Sequence, residues 1–489
     1  MINIKTVLLS SILASSIFAQ SVSLDEAIAI ALENNKQLKV SEISLKVADT
    51  LYNQAMSAHY PTLDVSLSAM RFDEAFVFEM RGTTTIDNQQ TKAMYSGLSS
   101  AAQADNGGVS NSLSTAFGMI AEMTPKQTVL PIDMQVKTIG RDTAIARADF
   151  VLPLYTGGKI SAIVEQAKIG KAISAENRVR TRNQVIYDVK KYYYGAIIAK
   201  KLAKLTSDTL ERMSFIRDLT SQMYEGGSMS VKKTDYLRSK MSVNMISVIY
   251  EDIKSKEQMA KAALANVMGY SWDKEIEVSE EKLPTPVMDK SMQAMVEEAH
   301  KFNPDYKTIK LALGVKDAQI DEAQSAYLPN IAFIAGAQTM YNDYEYGMVN
   351  DRNKDSWNIG VGLEWSLFNG MRTSNQVEQS KLEKLKMQEQ EVLLEDGLAL
   401  QIKQAYLEMG ATYNKYKVLV DGVQIAEENR DLNIRAYQED LVETKDVIEA
   451  QIFEALTQAD YYRVLNDHAM AKAKADLIIG TALEDLLKN

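Results

Sequence analysis

Cysteine is absent from all 489 residues, which excludes a disulfide framework, a thiol nucleophile and a lipid-bearing cysteine at a processed N-terminus. Only eight prolines and 23 glycines interrupt the chain. So few breakers, with 46% hydrophobic and 24% charged residues, favour long helices in a folded protein. The three histidines, His59, His300 and His468, are too scattered to suggest a metal site. No spacing pairs serine, histidine and acid into a catalytic constellation, so neither enzyme activity nor a cofactor is expected. Beyond the first 19 residues no run of 18 apolar residues occurs, which argues against a membrane-spanning helix. Barrel strands stay open, because their alternation escapes hydropathy scans.

Residues 1–19 read as a secretory signal: Lys5 supplies the positive start, Thr6 to Phe18 the apolar stretch and Ala19 a small residue at the cut. Removing them takes away one base and no acid, leaving 53 basic against 65 acidic residues, a net charge of −12. A strongly acidic secreted chain is a poor candidate for nucleic acid.

The chain then says the same thing twice. Ser23 to Pro61 (SLDEAIAIALENN…AMSAHYP) and Ser291 to Pro329 (SMQAMVEEAHKFN…AQSAYLP) align at a constant offset of 268, which pairs Asn35 with Asn303 and Pro61 with Pro329. Leu154-Tyr155-Thr156-Gly157 and Val164-Glu165-Gln166 match Leu367-Phe368-Asn369-Gly370 and Val377-Glu378-Gln379 at an offset of 213. The drop from 268 to 213 places 55 extra residues in the first half. Two structural repeats with one enlarged loop follow, divided as signal 1–19, first repeat 20–270, linker 271–290 and second repeat 291–489.

Each repeat reads as helix, strand, loop, strand, very long helix, turn, helix. The first helix runs from Leu24 to Ala58 with apolar residues at helical spacing, and Pro61 stops it. The period then changes to two: Leu63, Val65, Leu67 and Ala69 share one face, as do Ile331, Phe333, Ala335 and Ala337. The returning strand alternates Trp357, Ile359, Val361, Leu363, Trp365 and Leu367 with Asn358, Gly360, Gly362, Glu364 and Ser366. Phe150 and Asp149 hold the matching apolar and polar parities in the first repeat. Such strands suit a lipid-facing barrel or a sheet on a soluble core equally. Breaker-poor runs of 67 residues follow, Gly158 to Tyr224 and Met371 to Tyr437. As helices these would each be about 100 Å long, far more than one globular core needs. Residues 72–142, rich in Ser, Thr, Gly, Met and Ala, read as a large loop with weak helical pattern near Leu113 to Met123.

These features together with the SLDEAIAIALENN start and the corners LPLYTGGK and WSLFNGMR resemble the TolC-like outer-membrane efflux protein family over essentially the whole mature chain. The resemblance implies a membrane β-barrel plus a long α-helical barrel: a homotrimer whose twelve strands close in the outer membrane and whose helices form a tunnel through the periplasm. Four strands per chain agree, since they cannot close a barrel alone. It further implies a passive exit duct of a tripartite efflux or type I secretion system, in contact with outer-membrane lipid, with a periplasmic adaptor and an inner-membrane transporter as partners. The exported substrate, whether drug, metal ion or polypeptide, is not legible. The rival reading is a secreted trimeric coiled-coil structural or adhesive protein without a pore.

The resemblance also marks site residues. The family's second tip carries an aromatic residue and then two carboxylates three apart, here Tyr437, Asp446 and Glu449, which would form an acidic ring at the closed periplasmic end. Asp235 matches Asp446 at an offset of 211. Val442 stands where some members carry an arginine tying the two tips. Lys232, Lys233 and Arg238 on the first tip, against Glu439, Asp440, Glu443 and Asp446 on the second, suggest an ionic clasp in its place, against solvated turn charges worth little. Gly157, Gly158 and Gly370 read as structural strand-to-helix corners, not a phosphate loop, because the second repeat has no lysine-serine continuation.

Overall fold

The structure, a computed structural model, describes residues 20–86, 88–104, 108–123, 128–279, 282–342 and 354–481. The expected signal over 1–19 lies outside the described residues. The first repeat runs β1 (Gln20–Val22), α1 (Leu24–Asn34), α2 (Lys36–Ser57), β2 (Thr62–Arg71), β3 (Phe76–Ile86), α3 (Asn88–Ala104), α4 (Gly108–Glu122), β4 (Thr128–Ile139), β5 (Asp142–Tyr155), α5 (Lys159–Glu225) and α6 (Lys233–Val267). After β6 (Ile276–Val278), the second repeat runs α7 (Met292–Phe302), α8 (Pro304–Ser325), β7 (Asn330–Asn342), β8 (Asp355–Glu364), α9 (Arg372–Gln438) and α10 (Thr444–Ile479). The bounds of α1 and α2 plus 268 are those of α7 and α8, and the bounds of α5 plus 213 are those of α9.

Three expectations change. The single helix expected over 24–58 breaks into α1 and α2 at Asn35, and the second repeat breaks at Asn303. Asn35 Oδ1 accepts the Gln37 N–H at 2.8 Å while its amide donates to the Val267 carbonyl at 2.7 Å. Asn303 does the same with the Tyr306 N–H at 2.8 Å and the Ile478 carbonyl at 2.6 Å. Each asparagine thus caps one helix and ties down the end of another. The return helices end at Gly269 and Gly480 with φ of +85° and +93°, where a Cβ would come within 2.5 Å of the Asn34 carbonyl and 2.6 Å of the Phe302 carbonyl. Only glycine fits both the dihedral and the space.

Second, residues 72–142 are not one loop. β3 and β4 pair antiparallel, and α3 packs on α4 through Tyr95, Phe117 and Ala121. The Ser99 hydroxyl also donates to the Ser114 carbonyl at 2.9 Å. Positions 87, 105–107 and 124–127 of the segment lie outside the described residues. Third, the expected linker contains β6, which pairs in parallel with β1.

The chain divides into two compact units. One, Asn53–Val164 with Ala318–Ser380, carries a four-stranded antiparallel sheet in the order β2-β5-β7-β8. Its register sets Leu67 opposite Ala146, Ala146 opposite Thr339, and Ala335 opposite Ile359, so the expected apolar positions share one face. Leu67 and Trp357 on that face are 80% and 78% exposed. The opposite face carries Asp64 across from Asp149, and Arg147 donating to Gln338 at 3.1 Å. β8 stops at Glu364, three residues short of the expected Leu367, and the Trp365 indole donates to the Tyr327 carbonyl at 3.0 Å.

The other unit is mainly helical, with one core in each repeat and a further one shared between them near the helix tips. Ala27 and Ala31 of α1 pack with Val185 and Val189 of α5 and Leu264 of α6. Met295 and Ala299 of α7 pack with Leu398 and Ile402 of α9 and Ala475 of α10, the same slots shifted by 268, 213 and 211. Among the described residues no helix is long and apolar enough to cross a membrane.

Candidate gate at the helix tips

The turns after α5 and α9 close alike. The Ser228 N–H donates to the Met223 carbonyl at 3.0 Å and the Leu441 N–H to the Ala436 carbonyl at 2.8 Å. The left-handed position is Gly227 in the first turn and Asp440, at φ +62°, in the second. Asp235 then caps α6 by accepting the Lys232 N–H at 3.0 Å, and Asp446 caps α10 by accepting the Glu443 N–H at 3.1 Å. A carboxylate at the third helical position also favours the positive end of the helix dipole, which gives both aspartates a structural role. Asp446 is half-buried, whereas Glu449 is exposed and 3.9 Å from Lys445 one turn earlier.

Tyr437 does not lie open at a constriction. It is 1% exposed, packed among Met213, Ile216, Val243 and Val447, with its hydroxyl 2.8 Å from Thr220 Oγ1 and 3.0 Å from Thr444 Oγ1. The ring gains apolar contact and both hydroxyls satisfy its polar end, so burial costs nothing unpaired. Its counterpart Tyr224 stays partly exposed and stacks on Tyr236, centroids 6.2 Å apart.

The expected ionic clasp is also absent within the chain. Among the described residues Lys232, Lys233 and Glu443 make no ion pair, and the pairs at the tips are Arg238 with Asp235 and Lys445 with Glu449, each inside one helix. What ties the repeats together near the tips lies about two to four turns inward. Glu454 of α10, with its side chain 2% exposed, accepts from Arg212 of α5 at 2.8 Å and from Arg430 of α9 at 2.9 Å. Arg212 Nε also donates to Gln451 Oε1 at 2.9 Å. A charged hydrogen bond on each carboxylate oxygen compensates its desolvation. Sequence reading missed this cluster because its members are spread over 243 positions, counting Arg212 to Glu454 inclusive. The signal was there: at an offset of 211 Glu454 corresponds to Val243, so a charge occupies a slot that is apolar in the first repeat.

At the strand-to-helix corners Gly157, Gly158 and Gly370 have φ of +61°, +89° and +68°. Thr156 and Asn369 cap the helices that follow, through the Ile160 and Thr373 N–H groups. The corners are therefore turns with caps.

Away from the tips, Nε2 of His468 faces the Val287 backbone at 3.2 Å and Nδ1 lies 3.0 Å from Thr412 Oγ1. Burial pushes its pKa below the ordinary histidine value.

Comparison with known proteins follows the same lines. Residues 295–481 match the family model described as outer membrane efflux protein. No match is found among curated protein sequences. Among solved structures, the CmeC outer membrane channel of Campylobacter jejuni superposes with a TM-score of 0.70 at 15% identity, covering 95% of this chain and 88% of that one. The outer membrane protein VceC of Vibrio cholerae gives 0.67 at 16%, covering 94% and 96%. The open state of the MtrE outer membrane channel of Neisseria gonorrhoeae gives 0.65 at 15%, covering 96% and 94%. Such a likeness spans nearly the full length of both partners and speaks to the fold, β-barrel strands plus a helical barrel.

Proposed function

We infer that this chain, TolC-like in fold throughout, is an outer-membrane efflux protein: the passive exit duct of a tripartite export system, anchored in the outer membrane and extending into the periplasm. The observation that carries this reading is the sheet. Its edge strands carry the exposed apolar residues Leu63, Val65, Leu67, Trp357, Ile359 and Leu363 on one face, the other face carries Asp64, Arg147 and Asp149, and among the described residues both edge strands, β2 and β8, lack an outer neighbour. In water such a face and two open edges invite aggregation. In lipid the same face is solvated, provided the edges close on other copies. A pore-less stalk needs neither feature.

Three copies supply twelve strands, wide enough to enclose a lumen into which Asp64, Asp149 and Arg147 project. Within the helical unit, the Tyr437 hydroxyl bonds and the Arg212–Glu454–Arg430 cluster hold α9 and α10 against α5. These contacts set the closed position of the inner helices, and Asp446 with Glu449 places negative charge beside the opening. A periplasmic adaptor and an inner-membrane transporter supply engagement and energy; the duct itself performs no chemistry. The test is single-channel conductance of protein extracted from the outer-membrane fraction. A cation-preferring pore that opens rarely is expected. Assembled protein that never conducts, or cysteines at 63, 65 and 67 that react freely with a water-soluble thiol reagent in intact membranes, would refute the reading.

A further inference from the structure

The repeat inside one chain fixes how neighbouring chains meet. Two offsets relate the halves, 268 for α2 and β2 and 213 for β5 and α5. They preserve contacts residue by residue. Leu63 pairs with Phe150 in the β2–β5 ladder; adding 268 and 213 gives Ile331 and Leu363, which pair in the β7–β8 ladder. Leu67 with Ala146 becomes Ala335 with Ile359, again an observed pair. The ion pair of Lys171 with Asp49, at 2.5 Å, becomes that of Lys384 with Asp317, also at 2.5 Å. Strand register and helix contacts therefore obey one operator.

One boundary occurs only once in the chain: β5 against β7, where the first repeat meets the second. Moved on by one repeat, β5 becomes β8, and β7 becomes the strand that begins the next copy, β2. These are the two strands whose outer edges are free. The occupant of each edge is thus a second copy of this chain, as the trimeric duct requires.

We propose that β8 pairs antiparallel with β2 of the neighbouring copy in the register obtained by shifting the β5–β7 ladder, so that Leu363 stands opposite the neighbour's Leu67 and Glu364 opposite the neighbour's Ser66. Phe150 opposite Ala335 becomes Leu363 opposite Leu67, and Val151 opposite Ile334 becomes Glu364 opposite Ser66. The parity is self-consistent. Leu363 and Leu67 both belong to the apolar face, Glu364 and Ser66 both to the polar one, and a slip by one residue would put leucine in the lumen. The helices agree. Ile169 of α5 meets Gly314 of α8, and the shift carries this contact to Leu382 of α9 against Lys46 of the neighbour's α2. Leu382 is 56% exposed in the single chain, and Ile43 and Val47, which flank Lys46, are 59% and 53% exposed. An unpartnered apolar stripe on α9 so meets an unpartnered apolar stripe on α2.

This inference rests on the trimeric reading and adds the register, which trimer formation alone leaves free. Because the chain has no cysteine, introduced thiols are the only ones present. Directly opposed residues sit about 4.5–5.5 Å apart at Cα, within disulfide reach, whereas a pair four residues out of register does not. The experiment uses the full chain in outer membranes, oxidised with a copper–phenanthroline reagent and resolved on denaturing gels. Leu363→Cys with Leu67→Cys, and independently Ser66→Cys with Glu364→Cys on the opposite face, should each convert most of the protein to a covalent trimer. The single variants and Leu363→Cys with Leu63→Cys should not. Trimers that conduct but cross-link through a different pairing, for example Leu363→Cys with Val65→Cys in preference to Leu67→Cys, overturn the register and leave the duct intact. Native extraction that yields only monomer overturns both.

Discussion

Replacing Glu454 with glutamine should loosen the closed tips without disturbing the sheet. The carboxylate is buried between two guanidinium groups with hydrogen bonds of 2.8 and 2.9 Å, and the change keeps its shape while removing its charge. Breaking a buried pair by removing one partner costs about 3–5 kcal/mol. Here the low end applies, because Arg212 keeps Thr209 and Gln451 and Arg430 keeps Asp431 at 2.8 Å. About 3 kcal/mol is roughly a 150-fold shift in the equilibrium between held and released tips. Hydrogen exchange resolved by peptide should report faster exchange around Thr220 and Tyr437, and planar-bilayer recordings a higher open probability. Converting all three groups to apolar residues, Arg212→Met, Arg430→Leu and Glu454→Val, should largely restore protection, since a buried ionic cluster is worth little more than well-packed hydrophobic replacements. If Glu454→Gln changes neither exchange nor conductance in a correctly assembled trimer, the cluster does not hold the tips.

The double variant Asp446→Asn with Glu449→Gln removes two charges per chain while leaving an acceptor for the Glu443 N–H, so cation over anion selectivity should fall and the trimer should persist; unchanged reversal potentials would leave Asp446 a helix cap and Glu449 a solvated charge beside Lys445. Gly480→Ala should destabilise the second repeat by about 2 kcal/mol or more, from the left-handed dihedral and a Cβ 2.6 Å from the Phe302 carbonyl, read as a lower denaturation midpoint in detergent. His468 is held below its ordinary pKa, so the unfolded chain binds its proton more readily than the folded one. Stability should therefore be constant above about pH 6.5 and decline below it until the folded-state pKa is passed, and His468→Gln should flatten that decline in thermal scans.

The repeats were legible because their markers are local and strong: a capping serine, an asparagine, a proline stop and a glycine corner each recur at fixed offsets. The strands were legible from alternation, and their faces agree with the ladder. The tips were legible only in outline. Asp446 and Asp235 were marked as charges, but their capping geometry depends on backbone N–H groups that sequence does not display. Tyr437 was marked as the aromatic tip residue from the resemblance alone, and nothing near it in sequence shows that Thr220, 217 positions away, would meet its hydroxyl. Of the α3–α4 pair only a weak helical pattern near Leu113 to Met123 was legible, because its polar positions are mostly Ser, Thr, Asn and Gln and its only charged residues among those described are Lys92 and Glu122.

The β3–α3–α4–β4 appendage joins the ends of β2 and β5 that point away from the helix corners, and only 12 residues, 343–354, occupy the corresponding place between β7 and β8. By contrast α1, α2, α5, α6, β2 and β5 each have a counterpart in the second repeat. In the proposed assembly of three chains the appendage recurs three times, whereas the paired helix tips of the two repeats recur six times. Valency would then differ between appendage and tips. An antibody or phage protein that grips the appendage saturates at three per duct, while a tip-binding partner can fill three or six places according to how well it tells the first repeat from the second.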